Sequence, residues 1–193
     1  MSERRKVFVV KPGVKFTSMI ESTKEDWDLI TPGWATEQSK VPEHALQMLR
    51  TLGDAKGEFP ITRLEHSLQT ATRAEADGRD EEYILCALLH DIGDVMAPAN
   101  HPDIAAAILK PFVSEANHWM VANHDVFQGY YFWHHLGWDR NTREKFRGSE
   151  YFEYTEEFCF KYDQAAFDPD YTSAPLEHFE PLVHKILSRR NSF

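Results

Sequence analysis

The chain has 193 residues, a hydrophobic fraction of 42% and a formal net charge of −10. This length fits one domain with a substantial core, and the composition is typical of a globular protein rather than a disordered one. The negative charge argues against nucleic acid or an anionic membrane surface as a partner. The longest strictly apolar run, Tyr83 to Leu89, is too short to span a bilayer.

The N-terminal stretch "MSERRKVFVVKPG" contains no sustained apolar segment and no small-residue cleavage site, so no secretory signal is predicted. Cys86 and Cys159 lie within apolar helical stretches. Buried, reduced thiols are therefore favoured over a disulfide, and a cytoplasmic location is expected.

The first part of the chain has few helical signals. The segment "KVFVVKPGVKF" predicts a short hairpin or an extended arm, because Pro-Gly interrupts two apolar runs. Residues 31–42 contain two prolines and a glycine and predict a loop, followed by a helix near Glu43 to Leu52. The expected organisation is an N-terminal arm and loop over residues 1–40 and a single domain over residues 41–193.

Helix signals then follow one another to the end of the chain. Thr62 and Glu65 have the spacing of a capping box, and Asp80 and Ser114 are suitable N-caps for later helices. Gly93 is a plausible stop for the Asp80 helix, a short helix from Pro102 to Pro111 follows, and the Ser114 helix runs towards His124. Apolar spacings of three and four predict two further helices, marked by Phe152, Thr155, Cys159, Tyr162 and Ala166 and by Leu176, Phe179, Val183 and Ile186. An all-α fold is predicted.

The stretch "LLHDIGD", residues 88–94, ends a helix that is apolar on every face and is therefore expected to be buried. An unpaired carboxylate at Asp91 would be costly there. A bound cation would remove this cost, since imidazole and carboxylate both bind iron, manganese and zinc. A catalytic His-Asp pair or a hydrogen-bonded core histidine would also explain His90 and Asp91.

Further candidate ligands lie on other predicted helices. His66 follows the capping box, His101 precedes a proline-initiated helix, His124 ends the next helix, and Asp163 borders the apolar stripe of a later one. Each side chain comes from a separate helix or helix end, as a metal site in the core of a helical bundle requires.

The order of these residues resembles that of the metal ligands in the dinuclear branch of the HD-domain superfamily, an all-α metalloenzyme fold. The order is His66, His90-Asp91, His101, His124, Asp163. The resemblance covers about residues 60–170 and implies an HD-domain helical bundle. It also implies that His66, His90, Asp91 and Asp163 hold one metal and that Asp91, His101 and His124 hold a second. The implied cofactor is a pair of iron ions, Fe(II)/Fe(III), with manganese or another divalent metal as the alternative.

This branch contains metal-dependent phosphohydrolases and mixed-valent diiron oxygenases. The GYP signature of the cyclic-dinucleotide phosphodiesterases is absent, because Gly129 is followed by Tyr130 and Tyr131. The compact chain is more similar to the phosphonate-cleaving oxygenases. The resemblance therefore implies a diiron oxygenase that uses O2 to cleave a small hydroxylated substrate, either a hydroxy-phosphonate bearing an ammonium group or a polyol-like compound. The alternatives are a phosphomonoesterase or phosphodiesterase and, less favoured, a non-catalytic metal-binding regulatory protein.

Asp94 stands where relatives in this branch carry a lysine or a histidine that can face the substrate. A carboxylate would repel a phosphate and favour a hydroxyl, amine or quaternary ammonium group. Arg63 or Lys161 could bind an anionic end of the substrate, although Arg63 could instead form an ion pair with Glu58 or Glu65. Asp94, Arg63 and Lys161 are the candidate catalytic residues.

Glu58, Gln128 and His135 are the candidate substrate-binding residues. Related oxygenases carry a Tyr/Glu pair ahead of the first histidine ligand, whereas "KGEFPITRLEH" contains Glu58 and no tyrosine, so a gating role of that tyrosine cannot be carried over. His135 lies in an aromatic-rich stretch that either lines a pocket or packs in the core. The expected partners are a small-molecule substrate and O2, and the oligomeric state stays open.

Overall fold

The computed structural model describes residues 13–54 and 59–189, and every regular element within these ranges is a helix. The predicted all-α class is confirmed. The chain packs as two units that divide between Val41 and Pro42. The predicted N-terminal arm falls largely on residues 1–12, outside the described part of the chain, and the extent of a single domain over residues 41–193 stays a prediction.

The first unit contains α1 (Lys24–Gln38), so the prediction of a loop over residues 31–42 is wrong. The helix starts at a complete capping box, in which the Thr23 amide donates to the Asp26 carboxylate at 2.9 Å and the Asp26 amide donates to Thr23 Oγ1 at 3.3 Å. Pro32 lies inside the helix. Proline removes a single backbone hydrogen bond, and the bonds on either side of it keep the helix continuous.

The helices of the second unit confirm the three predicted N-caps. Thr62 accepts a hydrogen bond from the Glu65 amide at 3.1 Å, Asp80 from the Tyr83 amide at 2.9 Å, and Ser114 from the Asn117 amide at 3.3 Å. In chain order the helices are α2 (Val41–Asp54), α3 (Arg63–Ala76), α4 (Glu81–Leu89), α5 (His101–Leu109), α6 (Glu115–Phe132), α7 (Phe152–Phe158) and α8 (Leu176–Leu187).

The centre of the second unit is α4, whose residues from Tyr83 to Leu89 are all buried. It packs against α3, α6 and α8, while α5 and α7 pack against α6. Burial on every side explains why this stretch is apolar around its whole circumference. No helix in the described ranges is long and apolar enough to cross a membrane.

The helix that starts after Ser114 is longer than the sequence indicated, because α6 continues past His124 to Phe132. His124 therefore lies in the middle of a helix and not at its end. Gly129 falls within the extension, where a Cβ atom would overlap the indole ring of Trp133. This glycine serves a close side-chain contact and does not stop the helix.

The helix predicted from Phe152 onwards contains an irregular turn. Regular α-helix ends at Phe158, and a π-helical turn follows over Cys159–Asp163, where the Gln164 amide donates to the Cys159 carbonyl at 3.0 Å. A π-turn inserts an extra residue and rotates the side chains that follow it. Asp163 is the last residue of this turn, so its direction depends on the irregularity.

The connection between α4 and α5 is tight. The helix α4 ends at Leu89, before the predicted stop, and Gly93 lies in a 3₁₀ turn over Ile92–Val95. A Cβ atom on Gly93 would overlap the carbonyl oxygen of His101 and crowd the Cβ atom of Ile104. The glycine therefore permits the start of α5 to approach the end of α4.

Substitution of Gly93 by alanine should lower the free energy of unfolding by about 1–3 kcal/mol, the usual cost of forcing an extra group into a packed region. Urea denaturation checks this value. Gly148→Ala is the matched control, because nothing lies within 4 Å of the added Cβ atom and its effect should be small. Equal unfolding free energies for the two variants would contradict the assigned contact.

The two cysteines should be inert in the folded protein. Both are completely buried and free, which confirms the predicted reduced thiols, and burial raises the pKa of each thiol well above its usual value. A thiol reagent such as dithionitrobenzoate should therefore react with neither Cys86 nor Cys159 until denaturant is added. Rapid reaction of one thiol in native buffer would show that its helix opens locally.

Candidate metal centre

The structure brings together the imidazole rings of His66, His90, His101 and His124. The Nδ1 atom of each ring lies 2.7–2.9 Å from a backbone carbonyl oxygen, those of Ala166, Ala87, Pro98 and Val121 respectively. A carbonyl can only accept a hydrogen bond, so each Nδ1 carries the proton. Each Nε2 therefore presents a lone pair, which is the usual orientation of a histidine that binds a metal.

These Nε2 atoms face one another in two pairs. The His66 and His90 atoms are 3.1 Å apart, and the His101 and His124 atoms are 3.2 Å apart. Two lone pairs cannot hydrogen-bond to each other, so this arrangement requires a shared cation or additional protons. Adjacent ligands at right angles around a metal, each with a bond of about 2.1 Å, would stand about 3 Å apart. The observed spacing fits a metal between the two rings of each pair.

Asp91 lies between the two pairs and points one carboxylate oxygen at each. Its Oδ1 atom is 3.1 Å from His101 Nε2 and 3.2 Å from His124 Nε2. Its Oδ2 atom is 3.5 Å from His66 Nε2 and 3.7 Å from His90 Nε2. A carboxylate in this position can bridge two cations.

Asp163 adds a carboxylate to the first pair only. Its Oδ1 atom is 3.2 Å from His66 Nε2 and 3.8 Å from His90 Nε2, and these side chains are close enough to hold one metal ion. Asp91, His90 and His124 form a second such group. The geometry therefore provides two adjacent donor sets, and its hard oxygen and imidazole nitrogen donors suit iron or manganese.

Burial and charge act against each other in this centre. Burial disfavours the ionised form of Asp163, but the neighbouring imidazoles of His66 and His90 hold the pKa of its carboxyl well below the usual range. The pKa of Asp91 is lowered in the same way by the surrounding imidazoles. Burial also disfavours protonation of His101, yet its contact with Asp91 raises its pKa to about 9. The two carboxylates stay anionic, and bound metal would replace protons on the imidazoles.

A cavity of about 760 Å³ opens onto the candidate ligands. His66, Asp91, His101, His124 and Asp163 all line it. Its walls are largely aromatic and include Phe59, Tyr131, Phe132, Trp133, Trp138 and Phe167. The aromatic stretch after His124 therefore contributes to a pocket. A small molecule in the cavity would contact the donor groups while its remainder lies against apolar rings.

Two of the predicted substrate contacts line this cavity, Arg63 and Gln128. The Arg63 Nε atom lies 3.0 Å from Asp94 Oδ2, and its Nη1 atom lies 3.6 Å from Asp91 Oδ2. Among the described residues, Arg63 thus pairs with Asp94 and, at a longer distance, with Asp91, and the pair with Glu65 that the sequence left open does not form. The arginine stands beside the pocket on the side of His66.

The sequence predicts that Asp94 faces the substrate. Asp94 does not line the cavity, and its side chain is 8% exposed. Besides its pair with Arg63, its Oδ1 atom lies 3.3 Å from His101 Nδ1. Burial and the charge of Asp91 raise the pKa of Asp94. Asp94 therefore pairs with a cavity arginine and lies close to a candidate metal ligand.

Lys161 and His135 also lie away from the cavity. The Lys161 ammonium is 2.9 Å from Glu157 and 3.2 Å from Asp77, so its charge is used in surface ion pairs. His135 is exposed in a 3₁₀ turn, with its ring 3.9 Å from that of His134. Neither side chain is placed to contact a molecule at the donor groups. Glu58 lies outside the described residues.

The sequence reasoning missed Asp125, which lines the cavity. A signal was present, because Asp125 directly follows His124 and repeats the His-Asp order of residues 90 and 91. Phe167 was also missed, although it lies only four residues after Asp163 and its ring stacks on His66 with centroids 4.4 Å apart.

Substitutions in the centre should have graded effects on metal content. His101→Ala should leave about one metal per chain, because a ligand is lost only from the pair formed by His101 and His124. Asp91→Ala should lower the occupancy of both sites, because its carboxylate faces both imidazole pairs. Mass spectrometry of the metal after anaerobic loading with Fe(II) measures both results.

His44→Ala is the control for this series, since His44 is exposed on α2. It should bind as much metal as the unsubstituted protein. Circular dichroism separates loss of metal from loss of fold. Unchanged metal content in the folded His101→Ala and Asp91→Ala variants would refute the assignment of these residues as ligands.

Comparison with known proteins agrees with this geometry. A stretch of 34 residues is 62% identical to 1-hydroxy-2-(trimethylamino)ethylphosphonate dioxygenase (glycine-betaine-forming) of Leisingera caerulea, but it covers only 18% of this chain and 17% of that protein. Residues 63–166, more than half of the chain, match the HD domain. That match contains all six clustered histidine and aspartate residues, and the chain therefore belongs to the HD-domain family of metalloproteins.

Proposed function

We propose that the protein is a diiron oxygenase that uses O2 to cleave a small hydroxylated substrate, best a hydroxy-phosphonate that carries an ammonium group. The observation that carries the proposal is the position of Asp91, whose two oxygens each face a different histidine pair. A carboxylate whose two oxygens face different sets of imidazole ligands is suited to a site for two metal ions. The same residues would hold manganese or another divalent metal, which is the alternative cofactor.

In this proposal His66, His90 and Asp163 would hold the first metal, His101 and His124 would hold the second, and Asp91 would be shared by the two sites. A bound iron pair would supply the activation of O2 and a site for the substrate hydroxyl. The protein residues would supply orientation, because each imidazole is fixed by a hydrogen bond from Nδ1 to a backbone carbonyl.

Arg63 would hold the anionic end of the substrate. Its guanidinium lines the cavity beside the first donor set and lies over the Phe59 ring, 4.6 Å from the centroid. The ion pair with Asp94 keeps the guanidinium in this place. The plane of an arginine side chain suits the oxygens of a phosphonate, with donors left over after Asp94 is satisfied.

The aromatic walls would exclude water from the reacting carbon. Six aromatic side chains line the cavity, and the charged groups among its lining residues lie at the donor sets, at Arg63 and at Asp125. Exclusion of water favours oxidation of the bound carbon over loss of reactive species to solvent. The phosphonate is preferred over the polyol because Arg63 in the lining can pair with its anionic end.

The name of the similar protein supports this substrate class. That enzyme is called a phosphonate dioxygenase that forms glycine betaine, although the matched stretch is a small part of it. For a substrate R–CH2–CH(OH)–PO3H2, one O2 gives R–CH2–COOH and H3PO4. The carbon–phosphorus bond breaks, one oxygen atom enters each product, and no further reductant is consumed.

A metal-dependent phosphohydrolase is the second candidate, because two metals can clamp a phosphate and activate water. The charge of the cavity disfavours it. Arg63 is the one lysine or arginine among the described residues that line the cavity, and its charge is shared with Asp94. A phosphomonoester or phosphodiester would meet three carboxylates there, whereas a substrate with its own cation would not be repelled.

The proposal is tested by the need for oxygen. Protein loaded with iron and partly reduced should show the electron paramagnetic resonance signal of a coupled Fe(II)/Fe(III) pair, and it should consume O2 in a one-to-one ratio with phosphate released from a hydroxylated trimethylammonio-ethylphosphonate. Arg63→Ala should raise KM at least about tenfold, because an anion contact would be lost.

Arg50→Ala is the matched control, because Arg50 makes its ion pairs on the surface of α2. It should leave KM unchanged. Release of phosphate from phosphomonoesters or phosphodiesters without O2, in protein loaded with manganese, would instead establish the phosphohydrolase.

A further inference from the structure

We propose that Asp125 selects the cationic group of the ligand, so that the cavity binds its ammonium end beside α6. The inference deepens the proposed function by naming a residue for substrate choice, and it rests on that function only for the identity of the reaction. Asp125 follows His124 on α6 and lines the cavity.

The charges of the cavity leave Asp125 without a cationic partner. Three carboxylates line it, those of Asp91, Asp125 and Asp163. Asp91 and Asp163 direct their oxygens at the imidazoles. Within residues 13–54 and 59–189, no lysine, arginine or histidine forms an ion pair with Asp125, and its Oδ1 atom accepts the Val126 amide at 2.7 Å. Its negative charge remains available to a molecule in the cavity.

Gln128 adds a second acceptor on the same side of α6. It lies three residues after Asp125, lines the cavity, and has a buried Oε1 atom that finds no hydrogen-bond partner in the described part of the chain. Residues three apart on a helix are neighbours on its surface. A buried oxygen without a partner is costly, and the electropositive end of a ligand would reduce this cost.

Aromatic rings follow these acceptors in the chain and line the same cavity. Trp133 and Trp138 meet edge to face with ring centroids 5.9 Å apart, and Phe132 lines the cavity beside them. Gly129 lets the Trp133 ring lie directly on the backbone of α6. Faces of aromatic rings attract cations, and a carboxylate among such rings favours an alkylated ammonium group over an uncharged group of equal size.

The cavity lining therefore contains a positive side chain from α3, Arg63, and a negative one from α6, Asp125. Arg63 stands by the histidine pair that includes His66, while Asp125 adjoins a member of the other pair. Asp94 cannot serve as the cation contact, because Arg63 already neutralises it outside the lining. A zwitterion, anionic at one end and cationic at the other, matches this order of charges.

Binding of two phosphonates of equal shape tests the proposal. One is 2-(trimethylammonio)ethylphosphonate, and the other is 3,3-dimethylbutylphosphonate, in which carbon replaces the charged nitrogen. Neither has the hydroxyl, so no turnover is expected. Isothermal titration calorimetry with the iron-loaded full chain under anaerobic conditions should show a preference for the cationic compound on the order of tenfold. Asp125→Asn should abolish most of this preference.

Variants of other acids identify the source of the preference. Asp125→Glu keeps the charge and should keep the preference, whereas Asp94→Asn and the exposed Asp103→Asn should leave the ratio of the two Kd values unchanged. The phosphonate is common to both ligands, so any effect on the anionic end cancels in this ratio. Circular dichroism and metal content confirm that each variant is folded and loaded.

Three outcomes would overturn the inference: equal binding of the two phosphonates by the native protein, an unchanged ratio in Asp125→Asn, or loss of the ratio in Asp94→Asn. Its failure is distinct from failure of the proposed function. Ligand preference that depends on Asp125 without O2 consumption would refute the oxygenase alone. Consumption of O2 with a ratio insensitive to Asp125 would refute the role of Asp125 alone.

Discussion

The buried carboxylate of Asp91 requires positive charge or hydrogen-bond donors around it, and the second unit is arranged to provide them. This carboxylate emerges from the buried end of α4, where an anion is stable only if cations or hydrogen-bond donors surround it. The bundle surrounds it with two histidine pairs whose lone pairs also require a cation. Both the carboxylate and the imidazole lone pairs need a positive charge beside them, which a metal ion would provide. Two metals would satisfy all of these groups together, so metal binding and stability should be linked in this protein.

Geometry outside the donor atoms keeps this arrangement in place. Backbone carbonyls hold the imidazole rings, and the π-turn that ends at Asp163 directs its carboxylate towards His66 and His90. Gly93 allows the backbone of α5 to come close enough for His101 to reach Asp91. The π-turn and the close approach at Gly93 are irregularities of the backbone, which would lower the stability of an ordinary helix. Such irregularities are often found where they orient functional side chains.

The cavity beside the centre is lined by charged groups of both signs and by aromatic rings. Asp94 lies outside this lining and pairs with Arg63, whereas Asp125 lies in the lining and forms no ion pair with a described residue. In the proposed function, a substrate that carries both charges would be oriented by Arg63 and Asp125. Orientation of this kind, with water excluded, is a large part of what a protein adds to metal chemistry.

The sequence by itself determined the all-α class, the N-caps at Thr62, Asp80 and Ser114, and the buried character of α4, because these depend on neighbouring residues and on helical periodicity. It also named the six histidine and aspartate residues that the fold gathers, since their chemistry is carried by residue type and order. The tertiary structure alone decided which charged groups meet. Pairing depends on residues distant in sequence, and so Asp94 joins Arg63, Lys161 joins Asp77, and Asp125 is left facing the cavity. The length of α6 and the π-turn before Gln164 were likewise decided by long-range packing, which local propensity does not encode.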